Sequence, residues 1–105
     1  MTSFQKEVYS ALRKIPRGFV TSYGEIANYL DTKAVRAVGT AVGKNPNAPE
    51  VPCHRVVPIS GAIGKYSGKG GVSTKIRLLA EEGVFVEHDH IKDFSHHFYR
   101  FNKGV

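Results

Sequence analysis

Residues 21–44 read TSYGEIANYLDTKAVRAVGTAVGK, and this stretch carries two helix starts with a break between them. Ser22 and Glu25 have the spacing of a capping box, in which a hydroxyl takes a backbone N–H of the first helical turn and the acidic side chain reaches back. Ile26, Ala27 and Leu30 follow as the apolar positions of a brief helix ending near Asp31. Asp31-Thr32 makes a turn and supplies a new N-cap. A further helix is expected from about Lys33 to Lys44, with Ala34, Val35, Val38, Ala41 and Val42 on its apolar face. Two short helices joined by a tight turn, in a chain of net charge +6, fit a helix-turn-helix; paired helices also occur in proteins that never touch DNA.

The second of these helices has an unusual composition. Gly39 and Gly43 each cost about 1 kcal/mol relative to alanine inside a helix. With Ala37, Thr40 and Ala41 they make a surface of small residues, against which either another protein element or a nucleic-acid backbone would approach closely. Arg36 falls near the N-terminal end, where a recognition helix reaches DNA; it also reads as a solvated surface arginine.

Upstream, Thr2 and Gln5 repeat the capping-box spacing, and Phe4, Val8, Ala11, Leu12 and Ile15 share one helical face that Pro16-Arg17-Gly18 ends. A short Phe19-Val20 stretch follows. Downstream, three prolines between residues 45 and 52 forbid a helix and deliver the chain stiffly to Cys53. Val56 and Val57 suit a short buried strand ended by Pro58, and a glycine-rich loop runs from Ser60 to Gly71. A helix is expected from Ser73 to Glu82, packed by Ile76, Leu79 and Ala80 and stopped by Gly83. Lys75 is expected to tie it to a neighbouring carbonyl. Phe85-Val86 suits a last strand.

These elements predict a mainly α fold with short strands. One small domain would cover residues 1–105, with its core in about 3–86 and a polar, solvated tail in 87–105. No apolar run approaches the ~20 residues of a membrane span, and the N-terminus lacks a signal-peptide layout, so a monomeric cytoplasmic or nuclear protein without a membrane partner is expected. The basic balance favours a polyanionic partner. His88, His90, His96 and His97 have no metal-ligand spacing, and no metal or cofactor is expected.

The single cysteine excludes an internal disulfide and a thiolate-rich zinc site, which leaves Cys53 as inert packing or a reactive thiol. A cysteine becomes a nucleophile where a base or a positive field favours its thiolate. His54 and Arg55 supply both types of group, and the proline-stiffened approach would fix the sulfur in place.

The string Pro52-Cys53-His54-Arg55-Val56 resembles the active-site signature of the O6-alkylguanine-DNA alkyltransferases. The similarity continues, in order, through Thr21–Ala27 as the first DNA-binding helix, Ala34–Gly39 as the start of the recognition helix, and Asn45-Pro46 as the hinge. Gly61–Gly68 is similar to the loop over the base pocket, and Leu78–Gly83 to the helix that carries Glu82. The resemblance implies a helix-turn-helix of the alkyltransferase C-terminal-domain type, acting on O6-alkylguanine in duplex DNA by irreversible transfer to Cys53. It implies that the recognition helix enters the minor groove, with Ser22, Ala37 and Gly39 at the DNA. Arg36 would fill the space left by an everted nucleotide, and Tyr23 would help to rotate that nucleotide or protonate the leaving guanine. Groups near Val56, Tyr66 and Ser67 would read the base. His54 would take the thiol proton through water, Glu82 would orient the imidazole, and Asn45 would hold the turn. Most members of that family carry an additional N-terminal α/β domain, which these 105 residues do not include. Alkyltransferase-like proteins, similarly short, replace the cysteine and flag the lesion for excision repair without transfer. A regulator with an ordinary helix-turn-helix would need neither the loop nor the cysteine.

Overall fold

The computed structural model describes residues 1–101. Helix α1, Ser3–Lys14, begins at the expected capping box: Thr2 Oγ1 accepts the Gln5 N–H at 3.0 Å, and Gln5 Oε1 accepts that of Thr2 at 2.9 Å. It buries Val8, Tyr9, Ala11 and Leu12, the face that the spacing predicts with Tyr9 added, and the Tyr9 hydroxyl donates to Ala41 O at 2.8 Å. That bond fastens α1 to the back of the two helices expected from residues 21–44.

The first of these, α2 (Tyr23–Tyr29), starts at the Ser22 N-cap, whose hydroxyl accepts the Glu25 N–H at 3.0 Å. The reciprocal half of the box is replaced: Glu25 Oε2 instead accepts the N–H of Phe101. Helix α3 runs Val35–Gly43, beginning two residues later than expected. Thr32 is not its N-cap. Asp31, at φ 58°, turns the chain off α2, and Thr32 Oγ1 is taken up inside that turn by the Ala34 N–H. Because of the late start, Ala34 and Val35 are exposed, and the buried face is Val38, Ala41 and Val42.

Beyond a 3₁₀ turn at Cys53–Arg55, β2 (Val56–Val57) lies parallel to β1 (Thr21–Ser22), pairing Thr21 with Val56 and Ser22 with Val57. Side chains alternate across a strand, and here the alternation divides the core. Val56 joins the cluster formed by α1, α2 and α3, while Val57 joins one with Val20, Ile63, Leu79, Val84 and Ile91. Helix α4, Gly71–Glu81, starts earlier than expected, on the left-handed Gly70 and Gly71. It buries Leu79 and, wholly, Lys75.

The expected solvated tail is corrected over its described part. Residues 86–87 (β3) and 90–91 (β4) form an antiparallel hairpin, followed by α5, Phe94–His97. The chain then runs beside β1: Val20 N–H donates to His97 O, Tyr99 N–H to Val20 O, and Thr21 Oγ1 to Tyr99 O. Phe101 stacks on Tyr29 with ring centroids 4.5 Å apart. Spaced apolar residues, with Ile91 and Phe101 buried and Phe94 half-buried, anchor this segment without the periodicity that would announce it. Residues 102–105 of the expected tail lie outside the described residues. No described helix is long and apolar enough to cross a membrane.

Candidate active site

Pro52 leads into the turn that carries Cys53 and His54, both buried, at 5% and 2% exposure. Cys53 borders a largely apolar cavity of about 550 Å³, within the range of about 300–1,000 Å³ typical of small-ligand sites. Tyr23, Arg36 and Gly39 wall it on the helix-turn-helix side, and Pro58, Tyr66 and Ser67 on the loop side.

Behind the cysteine lies a polar network centred on Glu82. His54 Nε2 is 2.8 Å from Glu82 Oε2. Arg55 donates through Nε to Oε1 and through Nη2 to Oε2, each at 2.9 Å, and the Gly18 N–H reaches Oε1 at 3.2 Å. Gly18 turns its N–H to this position from φ 89°, where a side chain would be strained. Arg55 Nη1 also donates to Ile15 O at 2.7 Å, closing the end of α1.

Burial works to raise the Glu82 carboxyl, but the bonds from Arg55, His54 and Gly18 outweigh it and hold the group below the usual carboxylate value. Burial pushes His54 down, against the opposing bond and charge of Glu82. An ionised Glu82 accepts, so the neutral imidazole carries its hydrogen on Nε2. The other nitrogen, Nδ1, is then an acceptor, and it is buried with no hydrogen-bond partner among the described residues. Burial likewise pushes the Cys53 thiol up, opposed by Asn45, by the Lys75 charge and by its own backbone N–H.

The turn is braced on both flanks. Asn45 Nδ2 donates to Val51 O at 2.7 Å while its Oδ1 accepts the Asn47 N–H. Lys75 Nζ donates to Val56 O at 2.8 Å and Lys65 O at 3.0 Å, and burial pulls its ammonium down to about 8 against the attraction of Cys53. Burial raises the Tyr23 and Tyr66 hydroxyls, and the Cys53 charge acts in the same direction.

Val56 and Ser22, both expected at the site, do not line this cavity. Val56 is fully buried outside the cavity wall, and its carbonyl is held by Lys75. Ser22 is 2% exposed, with its hydroxyl oxygen occupied in capping α2, and it borders a second cavity beside Tyr23 rather than this one. Ser67 lines the cavity and donates to Gly43 O at 2.6 Å, which ties the loop to the end of α3. Arg36 and Ala37 are exposed on α3, and Gly39 is half-buried beside the Tyr23 ring, which a Cβ there would meet at 3.8 Å. The Arg55 clamp and the Gly18 N–H were not foreseen: each lies far from Glu82 in sequence, and no local pattern joins them. Among the described residues, no three His, Cys, Asp or Glu side chains gather as a metal site.

A family model described as 6-O-methylguanine DNA methyltransferase, DNA binding domain, matches residues 3–84. The chain is similar to a methylated-DNA–protein-cysteine methyltransferase of Salmonella typhimurium, 49% identical over 86 residues that cover 81% of this chain and 49% of that protein. It thus spans about half the length of the curated relatives it matches. Among solved structures, Mycobacterium tuberculosis OGT in complex with DNA superposes with a TM-score of 0.74 at 48% identity, over 78% of this chain and 50% of that one. S. pombe Atl1, in complex with damaged DNA containing O6-carboxymethylguanine, superposes with a TM-score of 0.83 at 32% identity, over 96% of this chain and 98% of that one.

Proposed function

The chain belongs to the 6-O-methylguanine DNA methyltransferase family, and from that premise we propose that it repairs duplex DNA by moving the alkyl group of O6-alkylguanine onto Cys53 Sγ. The observation that carries this reading is the cysteine at the cavity edge with its neighbour His54 poised as a base. That imidazole is anchored through Nε2 to an ionised Glu82 and has Nδ1 free to accept.

A guanine stacked in a duplex cannot reach a buried sulfur, so the nucleotide must rotate out and enter the cavity. Arg36, on the exposed first turn of α3, takes the space the base vacates, and its planar guanidinium stacks there without losing charge. Tyr23 and Gly39 stand where the everted nucleotide passes. Tyr66 and Ser67 bound the base on the loop side.

His54 Nδ1 draws the thiol proton through an intervening water, and Glu82, itself fixed by Arg55, steadies the ring while it is charged. The thiolate attacks the alkyl carbon in line. The S–C bond forms as the C–O6 bond breaks, and the bonding pair leaves with the guanine. That base takes a proton from Tyr23; water re-protonates the tyrosinate and takes the proton held by His54, so on balance one proton passes from the thiol to the repaired guanine. The thioether is a poor leaving group, and each protein reacts once, with no cofactor in the reaction.

A second reading follows from the nearly full-length match to Atl1: a lesion-binding protein that transfers nothing. Incubation with duplex O6-methylguanine DNA separates the two. Transfer raises the intact protein mass by one methyl, located on Cys53, and Cys53→Ser abolishes the gain while lesion binding persists. Tight binding with no mass change would leave only the sensor.

A further inference from the structure

A second cavity, also of about 550 Å³, adjoins the one beside Cys53 and shares Tyr23, Val35 and Pro58 with it. Its far side is built by Ile59, Phe98 and Arg100. The last two belong to the C-terminal segment, outside the residues 3–84 that the family model matches.

That segment is held by its backbone at Val20 and by the Phe101 N–H on Glu25. The Arg100 side chain is tied to this framework only by a long, exposed ion pair with Glu25. It is 77% exposed, lies 5.0 Å over the Phe98 ring, and comes no closer than 3.9 Å to Glu25 Oε1. Glu25 is the acidic residue bordering the groove, and its other oxygen is already engaged. Ile59, at 69% exposure, and Val35, at 42%, add apolar surface on the rim. A cation beside exposed apolar groups, continuous with an opening that admits a base, matches one stretch of a nucleic-acid strand. The phosphate would meet the guanidinium and the deoxyribose the aliphatic rim.

Resting on the reading of the Cys53 cavity as the base site, we infer that Arg100 takes a backbone phosphate of the lesion-bearing strand beside the everted nucleotide. Its contact extends the DNA interface onto the C-terminal segment.

Binding of the full chain to an O6-methylguanine duplex, measured against salt concentration, tests this. One lost phosphate contact lowers the slope of log K against log salt by about 0.9 and weakens binding roughly three- to ten-fold at moderate salt. Arg100→Ala is expected to show both changes and Arg100→Lys to restore most of the slope, with no change in melting temperature for either. An unchanged slope in Arg100→Ala overturns the contact and leaves the transfer reading intact. A slower reaction of Arg100→Ala with free O6-benzylguanine, which has no phosphate, also overturns it, because the residue would then act on the cavity itself. A wild-type chain that does not bind lesion DNA overturns both readings.

Discussion

The outer face of α3 and the turn at Cys53–Arg55 border the same cavity and are built by contrary rules. On α3, Arg36, Ala37, Thr40 and Gly43 are exposed, and the N-terminus has no side-chain cap. The hydroxyl of Thr40 bonds back to Arg36 O within its own helix. At the turn, Cys53 and His54 are buried, Glu82 receives hydrogen bonds from three residues, and Arg55 is held at Ile15 as well. Under the function proposed above, the difference separates two tasks. A surface that must meet DNA of any sequence keeps its side chains small and its helix N-terminus without a side-chain cap. A nucleophile that must reach one carbon atom is fixed from behind, because small misplacements in a reacting pair are costly in rate.

Breaking the rigid half should have the largest effect. Glu82→Gln removes the charge that steadies the His54 imidazolium and presents an amide hydrogen toward the Arg55 and His54 donors. Transfer from lesion DNA should slow about a hundredfold, the lower end of what a positioned base contributes. Stability in urea should fall by about 2 kcal/mol for the lost charged hydrogen bonds. An unchanged rate in a folded variant would remove Glu82 from the relay. Breaking the open half should leave the chemistry alone. Arg36→Ala should cost about tenfold in transfer from duplex DNA, equivalent to roughly 1.4 kcal/mol of transition-state stabilisation, and almost nothing with free O6-benzylguanine. Equal losses on both substrates would contradict a role in eversion.

The pH profile sharpens the same contrast by a smaller margin. Burial holds the folded His54 below its ordinary 6.5, so it is neutral at pH 7 and ready to accept. The transfer rate should therefore stay level from about pH 8 down through 6.5 and decline only below it. Stability follows the same sign. His54 and Glu82 both titrate lower in the folded chain, so the unfolded chain binds their protons first as the pH drops. Their contribution is whole above 6.5, begins to fall below that value with His54, and falls further below 4.5 with Glu82. A transfer rate that climbs tenfold per pH unit from 7 to 9 would mean that the raised thiol titrates unaided and His54 is not its base.

The contrast also marks what could be read from the residues alone. α1, its capping box and the Val38, Ala41 and Val42 part of the α3 face follow from spacing, and the expected tether from Lys75 to a neighbouring carbonyl is present. Cys53 and His54 stand out from the residues themselves, Asn45 and Glu82 only through the family resemblance, and the structure brings all four around one turn. The clamp of Arg55 on Glu82 was hidden, since it joins residues 27 apart through tertiary packing. The start of α3 was misplaced because Thr32 has an N-cap side chain but the turn after α2 uses it. The C-terminal segment pairs its backbone with Val20 and with Ala62 through one isolated bridge each, a form of contact that leaves no period in the sequence.

The smallest effect should come from the glycines of α3. Gly43 has ordinary helical geometry rather than a positive φ, and a Cβ there would meet nothing within 4 Å. Nothing inside the folded chain therefore requires glycine at this position, and Gly43→Ala should stabilise it by about 0.5 kcal/mol through the lower entropy of the unfolded chain. The melting temperature should rise by roughly 2–4 °C. If the open face is kept small for the approach of a DNA backbone, the same variant should bind lesion duplex more weakly while reacting with free O6-benzylguanine at the wild-type rate. A gain in stability with no loss of duplex affinity would place Gly43 outside the DNA contact. A loss of stability would mean that the small residue serves the fold, and the division between an open face and a braced turn would then stop short of the C-terminal end of α3.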